Sequence, residues 1–207
     1  MTCGLGAVLV SRQMSSSLAT EAPRRRLNDR QASIVERLTE AAVEEISENG
    51  YEAFTVRNVA RRAGVAPATA YTYFASKDHL IAEAFWRRLR SLPDNHVDRR
   101  RSAVVRVGTA LRDVTQLLAD DAALAAAATN AMLAADPDVK HLRDRVGAYI
   151  RRRITDALGE DGAPPVVNAL ELCVAGAMIQ AGMGHLSYAQ LPDRVVEVAS
   201  LLLKGRR

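Results

Sequence analysis

From Ile34 to Leu202 apolar side chains return every three or four residues, with glycine or proline breaking the pattern at intervals. That spacing marks one face of an α-helix, since a half-buried strand would alternate at every second position. Ile34, Leu38, Ala41, Ala42 and Ile46 predict a helix over 29–49, stopped by Gly50, with Tyr51 and Phe54 closing over the core. A short stripe of Val56, Val59, Ala60 and Ala63 follows between Thr55 and Gly64, and another segment starts at Pro67. Leu80, Ile81, Ala84, Phe85 and Leu89 predict a fourth helix over 78–90. Pro93 disfavours helix through Leu92, so 91–95 is read as a boundary.

Beyond that boundary the same period continues to the end of the chain. Val104, Val107, Leu111, Val114 and Leu118 form one stripe, and Asp121 caps an alanine-rich helix ending near Ala135. Asp136-Pro137 opens a long helix carrying Val139, Leu142, Val146, Ile150, Ile154 and Leu158 and stopped by Gly159. Pro164-Pro165 starts a helix over 164–184 that is apolar nearly all round, and Pro192 starts the last, over 192–204. The expectation is an all-α fold of about nine helices.

The stretch 55–74 reads as a helix-turn-helix. Thr55 is a good N-cap, Gly64 can take the left-handed conformation that ends a helix, and Pro67 suits the first position of the next. Only Val65 and Ala66 intervene, so the two helices must cross steeply, as in units that place their second helix in a DNA major groove. The second helix would present Pro67, Ala68, Thr69 and Thr72, small groups that allow close approach to base edges. Tyr71 and Tyr73 can each place a phenol on a phosphate, and Thr55, Arg57 and Lys77 complete the expected DNA-facing set. The plainer reading is a packing unit in which the two tyrosines are half-buried anchors.

Gly64-Val65-Ala66-Pro67-Ala68-Thr69-Ala70-Tyr71-Thr72-Tyr73-Phe74-Ala75-Ser76-Lys77, preceded by Asn49-Gly50-Tyr51 and Thr55, resembles the DNA-binding segment of TetR-family transcriptional regulators. The resemblance covers about a third of the chain. It departs from the family pattern at Ala66, where a serine cap is usual, and at Ala70, where a larger aliphatic is usual. It implies an N-terminal three-helix helix-turn-helix domain over 28–92 and a helical ligand-binding and dimerisation domain over 99–207. It also implies that the fourth helix links the two and that the last two helices pair with a second copy in a four-helix bundle. The expected function is a ligand-responsive homodimeric repressor that leaves a palindromic double-stranded DNA operator when a small, largely apolar effector binds.

Composition narrows the alternatives. The 207 residues carry a formal net charge of +4, which suits a polyanion partner without requiring one. Residues 1–27 read as a flexible basic arm, with five arginines in 1–30 against Glu21 and Asp29, and Met14 is a possible alternative start. Cys3 and Cys173 lie far apart, and no run of apolar residues is long enough for a membrane span, so a reducing, cytoplasmic setting is expected. His79, His96, His141 and His185 have no metal-ligand spacing, and no phosphate loop or nucleophile elbow occurs. Neither an enzyme nor a metal or other cofactor is expected.

In the second half, the alanine run 122–135 either draws helices together or leaves a cavity. Met132, Leu133, Met178 and Met183 are candidate apolar walls for an effector, with Thr129, Asn130, Gln180 and His185 as candidate polar handles. A plain core is the bland alternative for these residues. Trp86 is expected to pack at the domain junction, and Arg151-Arg152-Arg153 to lie mainly on an outer face. The rival to the repressor reading is a helical adaptor or ligand-binding protein without specific DNA binding.

Overall fold

A computed structural model describes residues 29–94 and 96–204. The expected basic arm, Cys3 and the question of Met14 fall outside them. The described residues form nine α-helices and two short 3-10 turns, without strands. The helices are α1 (Asp29–Ala53), α2 (Val56–Arg62), α3 (Pro67–Tyr73), α4 (Lys77–Arg90), α5 (Ala103–Asp120), α6 (Ala122–Met132), α7 (Pro137–Leu158), α8 (Pro164–Gly182) and α9 (Leu191–Lys204).

Most boundaries follow from local chemistry. The side chains of Thr55, Ser76, Ser102, Asp121 and Asp136 each accept a backbone N–H in the first turn of the helix they precede. Such a cap is worth roughly 1 kcal/mol. Gly50 has φ +70°, so α1 is kinked there and one further turn carries it to Ala53. α6 ends at Met132, short of the expected Ala135. The next two amides make only i−3 bonds, to Asn130 and Ala131, and Arg143 takes the Ala134 carbonyl at 2.8 Å.

A contiguous core joins the two halves. α4 supplies Leu80, Ile81 and Leu89, all fully buried, and packs against α1 on one side and α6 and α7 on the other. Each such side chain contributes roughly 1.5–3 kcal/mol through burial. Trp86 on α4 meets Tyr149 of α7 edge to face at 6.0 Å, with the Arg145 guanidinium over its indole at 4.7 Å. The sole tryptophan thus sits at the junction of the two halves, as expected.

Two arginines depart from the amphipathic reading. Arg153 is buried rather than solvated. Its guanidinium donates to the carbonyls of Ala110, at 2.9 Å, and Pro93, and pairs with Asp113 at 3.5 Å, so α7 grips both α5 and the connection before it. Ile150 and Ala157, three residues before and four after it on α7, are buried, but no neighbour in sequence announces carbonyls 43 and 60 residues distant. Arg106, also buried, donates to the last carbonyls of α7, those of Ala157 and Leu158, and pairs with Asp161. Arg151 and Arg152 are exposed, and Arg151 bonds Glu171 and Asn168 of its own chain.

α8 is the one helix among the described residues that is long and apolar enough, by length and composition alone, to cross a membrane. Here it packs on α6, α7 and α9 through Val166, Val167, Leu170, Val174 and Ala181. Much of the rest is bare: Leu172 is 74% exposed and Met183, its C-cap, 63%, with Leu201 of α9 at 69%. The sequence pattern called for cover on every side, and this chain covers one.

Candidate nucleic-acid interface and effector cleft

The turn between α2 and α3 is held from three directions. Gly64 adopts φ +62°, a conformation that side chains with a Cβ resist. The Thr55 hydroxyl accepts from Asn58 N–H at 3.1 Å at the start of α2. At its end, Arg37 reaches from α1 to donate to the carbonyls of Ala63 and Gly64, the latter at 3.0 Å. A guanidinium on the C-terminal carbonyls of a helix satisfies orphan acceptors and opposes the negative end of the dipole. Sequence reasoning missed Arg37, because its partners lie 26 and 27 residues away.

Arg62 fixes α2 to α1 from the other side. It bonds the nearly buried carboxylate of Glu45 at 3.1 Å and the exposed one of Glu48. Glu48 sits below the usual carboxylate range because of that hydrogen bond. The link to Glu45 is the stronger structural constraint, since a buried carboxylate stripped of its partner is destabilising.

On this frame α3 carries one buried residue, Ala70, which has no exposure. Its methyl is fully enclosed at a position where a larger aliphatic is usual in the family pattern. Ala66, at the N-cap, makes no side-chain bond. Pro67, Ala68 and Thr72 are exposed, Tyr71 is 51% exposed, and Thr69 and Tyr73 are half-buried. The Thr72 hydroxyl donates to Ala68 O at 3.1 Å, which leaves its lone pairs and methyl outward. Arg57 and Thr55 are exposed on and beside α2. Lys77 folds over the Tyr51 ring at 3.9 Å and donates to the Tyr51 carbonyl at 3.4 Å. An ammonium has three N–H groups, so two remain for an anion. Tyr51 in turn donates to Asp78 at 2.7 Å, and burial with that bond pushes its phenol up to about 12.

The expected DNA-facing residues therefore gather around the bare side of α3 and the adjoining ends of α2 and α4. The face is nearly neutral, with cations at its margins.

A second feature lies between α6, α7 and α8: a cleft of about 590 Å³ with almost entirely carbon walls. Thr129, Met132, Leu133 and Met178 line it, as the sequence suggested, while Asn130 and Met183 are exposed and stand apart from its lining. Thr129 is occupied, donating to Ala125 O and sharing a hydrogen bond with Tyr188 at 3.1 Å. The opposing wall, Val146, Gly147 and Ile150 of α7 with Leu172 and Ile179 of α8, was not singled out, since its residues read as ordinary helix stripes. Arg143, Asn168 and Glu171 form the polar part of its rim.

A glycine-turned helix pair with a bare second helix, set on an all-α body with an apolar cleft, is the arrangement of a helix-turn-helix DNA-binding regulator. The family model of the tetR family of bacterial regulatory proteins matches residues 38–84. An HTH-type transcriptional regulator of Mycobacterium tuberculosis is 44% identical over 183 residues, covering 86% of this chain and 84% of that one. The transcriptional repressor KstR of Mycolicibacterium smegmatis is 31% identical over 153 residues, 72% of this chain and 70% of the repressor. Among solved structures, a TetR regulator from Rhodococcus sp. RHA1 superposes with a TM-score of 0.68 at 26% identity, over 87% of this chain and 100% of that one. FadR of Bacillus subtilis in complex with stearoyl-CoA shares the fold, with a TM-score of 0.55 at 19% identity over 83% of this chain and 99% of its own. The chain belongs to the TetR family of transcriptional regulators. Both curated relatives are HTH-type transcriptional regulators.

Proposed function

We propose that the protein is a homodimeric repressor that reads a palindromic operator with two copies of α3 and releases it when an amphiphilic effector fills the α6–α8 cleft. The observation that carries the reading is the bare, nearly neutral front of α3; in the proposed docking Thr69 and Thr72 meet base edges, and Tyr71, Tyr73, Lys77, Arg57 and Thr55 meet phosphates. One helix of seven residues spans only a few base pairs, so two must act together for a useful site. The apolar residues bare on α8 and α9 supply the means, because a contiguous exposed apolar face marks an association surface. The repressor direction follows the relative KstR.

The cleft favours an effector with an apolar body and one polar or anionic end. Its volume is in the range of small-molecule sites, its walls are carbon, and Arg143 stands at its rim. Stearoyl-CoA, the molecule bound by FadR of Bacillus subtilis, is of that kind. To release DNA, the effector must prefer the released conformation by a few kcal/mol.

The test is to sequence the genomic DNA fragments that the purified protein retains and to titrate salt against them. The expected outcome is a recurrent inverted repeat, bound with an affinity that falls steeply as salt rises. Retention of no sequence above background would favour the helical adaptor instead, a reading to which the uncapped start of α3 at Ala66 lends some weight.

A further inference from the structure

The start of α4 is bonded to the start of α7. Ser76 Oγ accepts from His79 N–H at 3.0 Å, which caps α4, and donates to Asp136 Oδ2 at 2.7 Å. The other oxygen of the same carboxylate, Asp136 Oδ1, accepts from the amides of Asp138 at 2.8 Å and Val139 at 3.4 Å and so caps α7. His79 Nδ1 lies 3.8 Å from Asp138 Oδ2, and the His79 ring packs edge-on against Phe74, the buried residue that ends α3, at 5.3 Å. One serine and one aspartate, 60 residues apart, thus serve two helix starts at once.

The arrangement has an electrostatic logic. Trp86 meets Arg145 and Tyr149 ten residues along α4 from Ser76, so α4 and α7 run in the same direction. Parallel helices bring two positive dipole ends together, which is unfavourable unless an anion lies between them. The Asp136 carboxylate takes that place, and the Ser76 hydrogen bond is the main cause of its pKa lying below the usual value. The same α7 walls the cleft from Arg143 to Ile150, a stretch whose centre is about 15 Å along the helix from its cap.

We propose that Ser76 and Asp136 are positioning residues for the recognition helix, holding the end of α3 in register with α7. This rests on α3 being the DNA-reading element, as argued above. It adds a direct connection from a wall of the cleft to the reading head, one that local sequence could not reveal.

Serine and aspartate are both good N-caps, so the pair can be broken and remade without removing either cap. Ser76→Asp sets two carboxylates face to face; Asp136→Ser leaves a neutral pair; the double variant Ser76→Asp/Asp136→Ser restores a hydroxyl-to-carboxylate bond with the roles exchanged. In the full-length protein, amide hydrogen exchange over 69–79 should quicken about tenfold in Ser76→Asp, the size expected for losing a hydrogen bond to a charged group. The change should be smaller in Asp136→Ser and return to within about twofold of wild type in the exchanged pair. Amides of α5 and α9 should hardly change, whereas a general loss of stability would quicken them too. Trp86 fluorescence should follow the same order, and affinity for the retained DNA should fall and recover with it. Exchange over 69–79 that is unchanged in Ser76→Asp, or an exchanged pair no better than Ser76→Asp, would overturn the proposal. Because exchange and fluorescence need no DNA, a protein that retains no duplex would sink the operator reading while leaving this one to be decided on its own data.

Discussion

The front of α3 and the outer face of α8 are both bare, yet they are bare in opposite ways. α3 shows water a proline, a small alanine, hydroxyls and phenols, groups that lose little by staying solvated. α8 shows leucine, isoleucine and methionine, and each of these would gain by being covered. The contrast assigns different kinds of partner: a hydrated, polar one for the first and an apolar one for the second. It also accords with a backbone around α3 pinned by Gly64, Arg37 and Arg62, while α8 is held chiefly by apolar packing, with Arg151 bonding its Asn168 and Glu171. A reading helix must be placed to within a fraction of an ångström, but an apolar face can slide and repack.

The contrast can be broken most severely at α8. Met183→Arg, at the C-cap of α8 and outside the cleft lining, should turn a sedimenting dimer into a monomer and lower affinity for a two-half-site duplex by about 100-fold or more, because the second half-site then binds independently. A variant that sediments as wild type would remove α8 from the association surface. Gly64→Ala comes next. The added Cβ would lie 3.2 Å from Arg37 Nη2 on a left-handed backbone, so a loss of roughly 1–2 kcal/mol is expected in chemical denaturation.

On α3 itself, Tyr71→Phe and Lys77→Ala should weaken binding to all duplexes by about the same factor. Lys77→Ala should also reduce the slope of log affinity against log salt by about 1. Thr69→Ala and Thr72→Ala should instead change which bases are preferred, as read by sequencing the retained fragments. Unchanged binding in all four would contradict the docking assigned to this face. The smallest effect concerns acid. Asp136 has a folded pKa below its unfolded one, so its contribution is full above the ordinary carboxylate range and is lost as pH falls through the lower folded value. Denaturation of Asp136→Asn should therefore depend less steeply on pH below about 4 than that of wild type.

Where a boundary is decided by one residue and its immediate neighbours, it was legible in the sequence. As helix caps, stops and starts, Thr55, Gly64, Pro67, Ser76, Asp121 and Asp136 act within four positions of themselves, and in that role each does in the structure what its type suggests. Long-range partners were not legible. Arg37, Arg106 and Arg153 look like surface charge on amphipathic helices, and each spends its guanidinium on carbonyls tens of residues away. The cleft was half legible for the same reason. The methionines and Thr129 stand out beside the alanine run, whereas Val146, Ile150 and Leu172 look like any helix stripe until α7 and α8 are set side by side.

A footprint on the recovered DNA tests most directly whether two copies of α3 read one site. Two protected patches related by a two-fold axis, lying on one face of the duplex about 34–36 Å apart or a multiple of it, are expected. A single patch, or protection without an inverted repeat, would contradict the paired reading.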